Sequence, residues 1–122
     1  MATILIVDDS PTDIHVLKTM LERHGYHTIT ASSGEEGIQV ARQSRPDVIL
    51  MDIVMPGMSG FQAIRQLGQD PETRSIPVIV VSTKDMETDK IWAMRQGAKD
   101  YLTKPVSEKQ LIDTIHAALG LP

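Results

Sequence analysis

The sequence predicts an open, parallel α/β sheet with helices on both faces, and three observations carry that prediction. Three short apolar runs, Ile4-Leu5-Ile6-Val7, Val48-Ile49-Leu50-Met51 and Val78-Ile79-Val80-Val81, have the unalternating, β-branched character of strands buried on both sides. Helical patterns fall between the strand segments, and strict alternation of strand and helix implies right-handed βαβ crossovers. A chain of 122 residues holds five such pairs, too few for an eight-stranded barrel, so the sheet is open.

Each element has its own justification. The first strand is Ile4 to Val7. Ser10-Pro11-Thr12-Asp13 follows it with an N-cap, a proline at the first helical position and an acid at the reach-back position of a capping box, so a helix begins there. Its apolar stripe is Ile14, Leu17 and Leu21, and Gly25 after His24 stops it. Tyr26 to Ala31 has the partial alternation of an edge strand. Ser33 caps a second helix, with Glu35 and Glu36 in its first turn where the helix dipole favours acids, running to about Ser44 before Pro46. Val48 to Met51 is the third strand and Phe61 to Leu67 the third helix. Val78 to Val81 is the fourth strand. Glu87 to Gln96 makes a fourth helix with Ile91 and Met94 as its stripe, and Trp92 off that stripe and partly exposed. Tyr101-Leu102 is a strand stub, and Glu108 to Leu119 a fifth helix with Leu111, Ile112, Ile115 and Leu119 inward.

Composition narrows the class. With 41% hydrophobic and 23% charged residues the chain is ordinary for a globular protein and lacks the bias of a disordered one. Residues 1–122 are expected to form one domain. Twelve Lys and Arg against sixteen Asp and Glu leave a net charge of −4, and the basic residues form no stripe, which argues against direct nucleic-acid binding. No apolar run approaches the roughly 20 residues of a membrane span, and Met1-Ala2-Thr3 leads directly into a strand, so the expected location is the cytoplasm. Zero cysteines exclude disulfides and thiolate chemistry. The four histidines show no paired spacing and read as solvated.

Open parallel sheets bind ligands outside the carboxyl ends of their strands, where strand order reverses. At those ends stand Asp8 and Asp9, Asp52, Ser82 and Thr83, and Lys104 just beyond the fifth strand. If the strand order is 2-1-3-4-5, strands one and three are neighbours and the three aspartates share one crevice. Three carboxylates that close raise each other's pKa unless a cation joins them, and all-oxygen ligation suits Mg²⁺, with Mn²⁺ as a substitute. Mg²⁺ shares its shell with phosphate oxygens, Lys104 supplies a cation and Ser82 a hydroxyl, as phosphoryl transfer requires. A carboxylate can itself be the nucleophile, and Asp52, the central strand end, is the candidate.

Asp8-Asp9, Asp52 followed by Met55-Pro56-Gly57, Ser82, and Lys104-Pro105 together resemble the receiver domain of two-component response regulators, over the whole chain. The resemblance implies a doubly wound five-stranded sheet in the order 2-1-3-4-5 flanked by five helices. It implies that Asp52 accepts a phosphoryl group from a phosphohistidine on a sensor histidine kinase. Asp9, Asp52 and the backbone carbonyl of Val54 would ligate Mg²⁺, with Asp8 reaching it through water, and Lys104 and Ser82 would hold the phosphoryl oxygens. Pro105 is a candidate for a cis bond, Tyr101 for an aromatic that swings inward on activation, and Trp92 for an anchor on the surface of helix four, strand five and helix five that docks a downstream protein. The segments Gly60-Phe61-Gln62-Ala63, Thr83-Lys84-Asp85 and Arg95-Gln96-Gly97-Ala98 further resemble the small receivers of type IV pilus, or twitching-motility, chemosensory systems.

Val54 and Lys84, two residues after Asp52 and Ser82, flank the route of attacking water in this family. Neither is a carboxylate or amide, so slow to moderate self-dephosphorylation is expected. The leading reading is a stand-alone receiver that signals by docking. A phosphate sink for a shared kinase is its variant. A small Mg²⁺-dependent phosphohydrolase working through an aspartyl phosphate is the rival, disfavoured because Val54 stands where such an enzyme needs a second acid.

Overall fold

The computed structural model describes residues 1–122. The elements alternate without exception: β1 (Thr3–Val7), α1 (Pro11–Arg23), β2 (His27–Ala31), α2 (Gly34–Ser44), β3 (Val48–Met51), α3 (Gly60–Gln69), β4 (Val78–Ser82), α4 (Glu87–Gln96), β5 (Asp100–Thr103) and α5 (Glu108–Ala118). All strand pairs are parallel and the sheet order is β2-β1-β3-β4-β5. The reversal of order falls between β1 and β3, in register from Ile4 opposite Val48 to Val7 opposite Met51.

The apolar runs become central strands because both faces of each are covered. Alternate residues feed two cores: Leu5, Val7, Ile49, Met51, Val78 and Val80 meet α2, α3 and α4 on one side. Ile4, Ile6, Val48, Leu50, Ile79 and Val81 meet α1 and α5 on the other. Four helices open on serine caps: the sequence marks Ser10 and Ser33, and the structure adds Ser59 and Ser107. Ser10, Ser33, Ser59 and Ser107 each accept a hydrogen bond from the backbone N–H three residues on. Gly25 leaves α1 at a φ of +83°. The helix starts at 34, 60 and 108 and the stops at 44 and 96 lie within a residue of expectation; α3, capped by Ser59 with Gln62, starts one residue before Phe61 and runs two beyond Leu67.

One element departs from its reading. On α4, Ile91 and Met94 do not face the core: they are 46% and 48% exposed, and only Ala93 is buried. The helix turns its smallest side chain to the sheet, which lets it lie close to α3 and leaves the larger apolar groups outside. Trp92, 48% exposed, is therefore one of several exposed apolar side chains on α4 and its N-cap, with Ile91, Met94 and Met86, rather than standing apart from a buried stripe. Leu119, read as inward, caps α5 and packs only partly against the second core.

Candidate functional site

The backbone ladder aligns the strand ends. Asp52 N–H donates to the Val7 carbonyl (3.0 Å) and Lys104 N–H donates to the Ser82 carbonyl (2.8 Å), so Asp8, Asp52, Ser82 and Lys104 emerge at one edge of the sheet. Carboxylate oxygens of Asp8, Asp9 and Asp52 lie within 4.8 Å of one another. Asp8 and Asp52 are buried while Asp9 faces solvent, which leaves an open approach on one side. Asp52 Oδ1 accepts from its neighbour's backbone N–H at Ile53 (2.7 Å), leaving Oδ2 turned toward Lys104.

Lys104 holds the cluster together. Its ammonium lies 2.7 Å from Asp8 Oδ2, 2.8 Å from Asp13 Oδ2 and 3.5 Å from Asp52 Oδ2. Burial works against its charge, but the bonds it donates to Asp13 and Asp8 and the field of Asp52 outweigh it and hold the lysine above its usual pKa. Asp8 is shifted the other way for a carboxylate: its burial exceeds the help from Lys104 and the Ser10 N–H, so its pKa rises. The Lys104–Pro105 peptide bond is cis.

Asp13 is the residue that sequence reasoning misplaced. Ser10 Oγ does accept from Asp13 N–H (3.2 Å), but the reciprocal bond is absent, because Asp8 Oδ1 takes the Ser10 N–H (2.9 Å). Asp13 is thereby released from capping and reaches Lys104. Gly60 was likewise overlooked as a site residue. A Cβ there would sit 2.0 Å from the Asp52 carbonyl oxygen, and its N–H donates to the Ile53 carbonyl (2.9 Å), so only glycine lets α3 start against the segment that carries Asp52. Neither signal is visible without the fold.

The remaining positions sort by distance from the crevice. Ser82 is fully buried, and its Oγ accepts the Lys84 N–H at 3.3 Å. Lys84 points its ammonium to Asp89 on α4 (3.8 Å) rather than to the aspartates. The Tyr101 hydroxyl donates to the Lys84 carbonyl (2.6 Å), and burial, reinforced by the Asp89 charge, raises its pKa. Val54 is 57% exposed just past Asp52. Of the histidines, His24 meets Glu108 (2.8 Å) and His116 packs edge-on to Tyr26; none approaches the acidic cluster.

The donor set fits a hard divalent cation. Mg²⁺ sits about 2.0–2.1 Å from its oxygen ligands, and the three clustered carboxylates, with Asp13 beside them, outnumber the one ammonium and leave negative charge for it to balance. No nitrogen or sulfur ligand competes.

Comparison with known proteins agrees. The response regulator receiver domain matches residues 4–116. Protein PilH of Pseudomonas aeruginosa is 62% identical over 120 residues, covering 98% of this chain and 99% of that one. Among solved structures, chemotaxis protein CheY4 of Vibrio cholerae superposes with a TM-score of 0.91 at 30% identity, covering 98% of this chain and 99% of that one. The receiver domain of the sensor histidine kinase PA1611 from Pseudomonas aeruginosa, which holds a magnesium ion in its active-site cleft, superposes at 0.90 with 28% identity and 98% coverage of both. The acidic crevice at the β1–β3 switch, the lysine that closes it and these likenesses lead to one conclusion: the chain belongs to the response regulator receiver domain family.

Proposed function

We propose that this chain is a stand-alone receiver that takes a phosphoryl group from a histidine kinase onto Asp52. The observation that carries the proposal is the convergence of Asp8, Asp9 and Asp52 within 4.8 Å, closed by Lys104. In the transfer, the bond from phosphorus to the kinase's histidine nitrogen breaks as a bond to an Asp52 oxygen forms, giving an acyl phosphate. Lys104, already 3.5 Å from Asp52, neutralises charge on the phosphoryl oxygens. The Ser82 hydroxyl accepts one bond from Lys84 N–H and keeps its own proton to donate to a phosphoryl oxygen. Mg²⁺, or Mn²⁺ in its place, would be held by Asp9, Asp52 and the Val54 carbonyl with Asp8 behind water, and would supply further charge neutralisation.

Drawing Ser82 Oγ to the phosphoryl group loosens its bond to Lys84 N–H, in the same loop whose carbonyl holds the Tyr101 hydroxyl. Phosphorylation thus biases the β4–α4 loop and the face formed by α4, β5 and α5, where Trp92 and its apolar neighbours offer a protein partner a contact. The near full-length likeness to PilH supports a role in pilus-based, twitching motility. The test is intact mass after incubation with Mg²⁺ and acetyl phosphate. The parent gains one phosphoryl group, whereas Asp52→Asn does not; an unmodified parent overturns the mechanism. Following the decay of that added mass, Val54→Asn loses phosphate faster than the parent, because an amide there can orient the attacking water.

A further inference from the structure

Of the twelve Lys and Arg residues, seven stand within salt-bridge distance of a carboxylate. The five that do not are Arg65, Arg74, Lys90, Arg95 and Lys99. Four of those five line a single cavity, the largest in the molecule at about 510 Å³, and no Asp or Glu lines it. It lies between the last turns of α3, the connection to β4 and the turn from α4 into β5, at the opposite edge of the sheet from Asp52. In a chain of net charge −4, where Arg23, Arg42 and Arg45 each find an acid, that segregation means four like charges gathered around one space with no internal counterion.

We propose that this cavity binds a nucleotide carrying two or more phosphate charges. Arg65, Arg74 and Arg95 present planar forks that match phosphate oxygens bidentately, and Lys99 adds a point charge. Ile76, half-buried at the cavity wall over the closed packing of Ile64, Leu67 and Val78, gives a base an apolar contact, and a guanidinium face can stack on that base. The volume falls within the roughly 300–1,000 Å³ of small-molecule sites. The Thr73 hydroxyl donates to the Leu67 carbonyl (2.8 Å) and is completely buried, so the loop that carries Arg74 is pinned rather than free to swing away. Anion binding relieves the mutual repulsion of the four cations, which water alone screens in the unliganded protein.

Fluorescence polarisation of N-methylanthraniloyl-ATP with the full chain tests the proposal. Saturable binding is expected, displaced by unlabelled ATP or GTP and weakened by salt. In Arg65→Ala/Arg95→Ala affinity falls at least about tenfold. Arg74→Ala, on a separate element, repeats the loss in part, and Asp52→Asn leaves binding unchanged, which separates this site from the phosphoacceptor crevice. Circular dichroism of each variant matches the parent, since all three arginines are exposed. Absence of binding at about 1 mM ligand, or a double variant that binds as well as the parent, overturns the proposal. Displacement by tripolyphosphate as effective as by ATP overturns the assignment to a nucleotide.

Discussion

Asp8 shows how the site trades stability for function. Its pKa is raised by burial, so the folded protein holds the Asp8 proton to higher pH than the unfolded chain does. Stability from this group is therefore greatest below the ordinary carboxylate value of 3.8 and is lost as pH rises through the folded pKa, leaving ionised Asp8 a cost at neutrality. Asp8→Asn, measured in EDTA by urea unfolding at pH 7, is expected to be more stable than the parent by about 0.5–2 kcal/mol. The difference shrinks in acid, where the parent's carboxyl is neutral too. A variant less stable at pH 7 would mean that the Lys104 bond outweighs burial. At this scale the sequence was only half legible. Asp8, Asp9, Asp52, Ser82 and Lys104 were found because strand ends are where a parallel sheet puts chemistry. Asp13 was hidden because the local signature of Ser10-Pro11-Thr12-Asp13 already explained it, and nothing in that tetrapeptide reveals that Asp8 captures the Ser10 N–H instead.

The elements themselves were legible wherever burial on both faces or a cap wrote a pattern into the chain. Strands β1, β3 and β4 announce themselves as apolar runs, and helices α1 and α2 by their serine caps. Helix α4 was misread because Ile91 and Met94 have helical spacing, and spacing does not say which face is inside; Ala93, a small residue that gives no periodic signal, decides it. Helix α3 carries the sharpest constraint. Gly60→Ala would place a methyl 2.0 Å from the Asp52 carbonyl oxygen and 2.8 Å from Ile53 Cα, both backbone atoms that cannot turn aside. A loss of about 1–3 kcal/mol is expected, with slower phosphorylation by acetyl phosphate because relief requires moving the Asp52 segment. Gly68→Ala on the same helix meets nothing nearer than 3.8 Å and is expected to be neutral or to gain up to about 1 kcal/mol. Equal effects at the two positions would remove the special role assigned to Gly60.

At the scale of the molecule, only one lysine offsets the resting charge of the crevice, and an ion that binds only the folded form adds its binding energy to stability. Mg²⁺ at about a hundred times its dissociation constant is expected to contribute about 2.7 kcal/mol, read as a rise in Tm over the EDTA-treated protein. Asp9→Asn, an exposed substitution outside both cores, abolishes most of that rise without lowering Tm in EDTA. An undiminished rise would place the ion elsewhere.

The division of the interior into two cores has a consequence for how one aspartate reaches the whole protein. Strand β3 sends Ile49 and Met51 into one core and Val48 and Leu50 into the other, and Asp52 is the next residue along it. Asp52, the proposed phosphoacceptor, thus hangs from a party wall: a strand with no side of its own, shared by both helix layers. Phosphorylation of Asp52, if it moves the strand, would bear on both rooms at once, and either face would stand on the far side of a single wall from it.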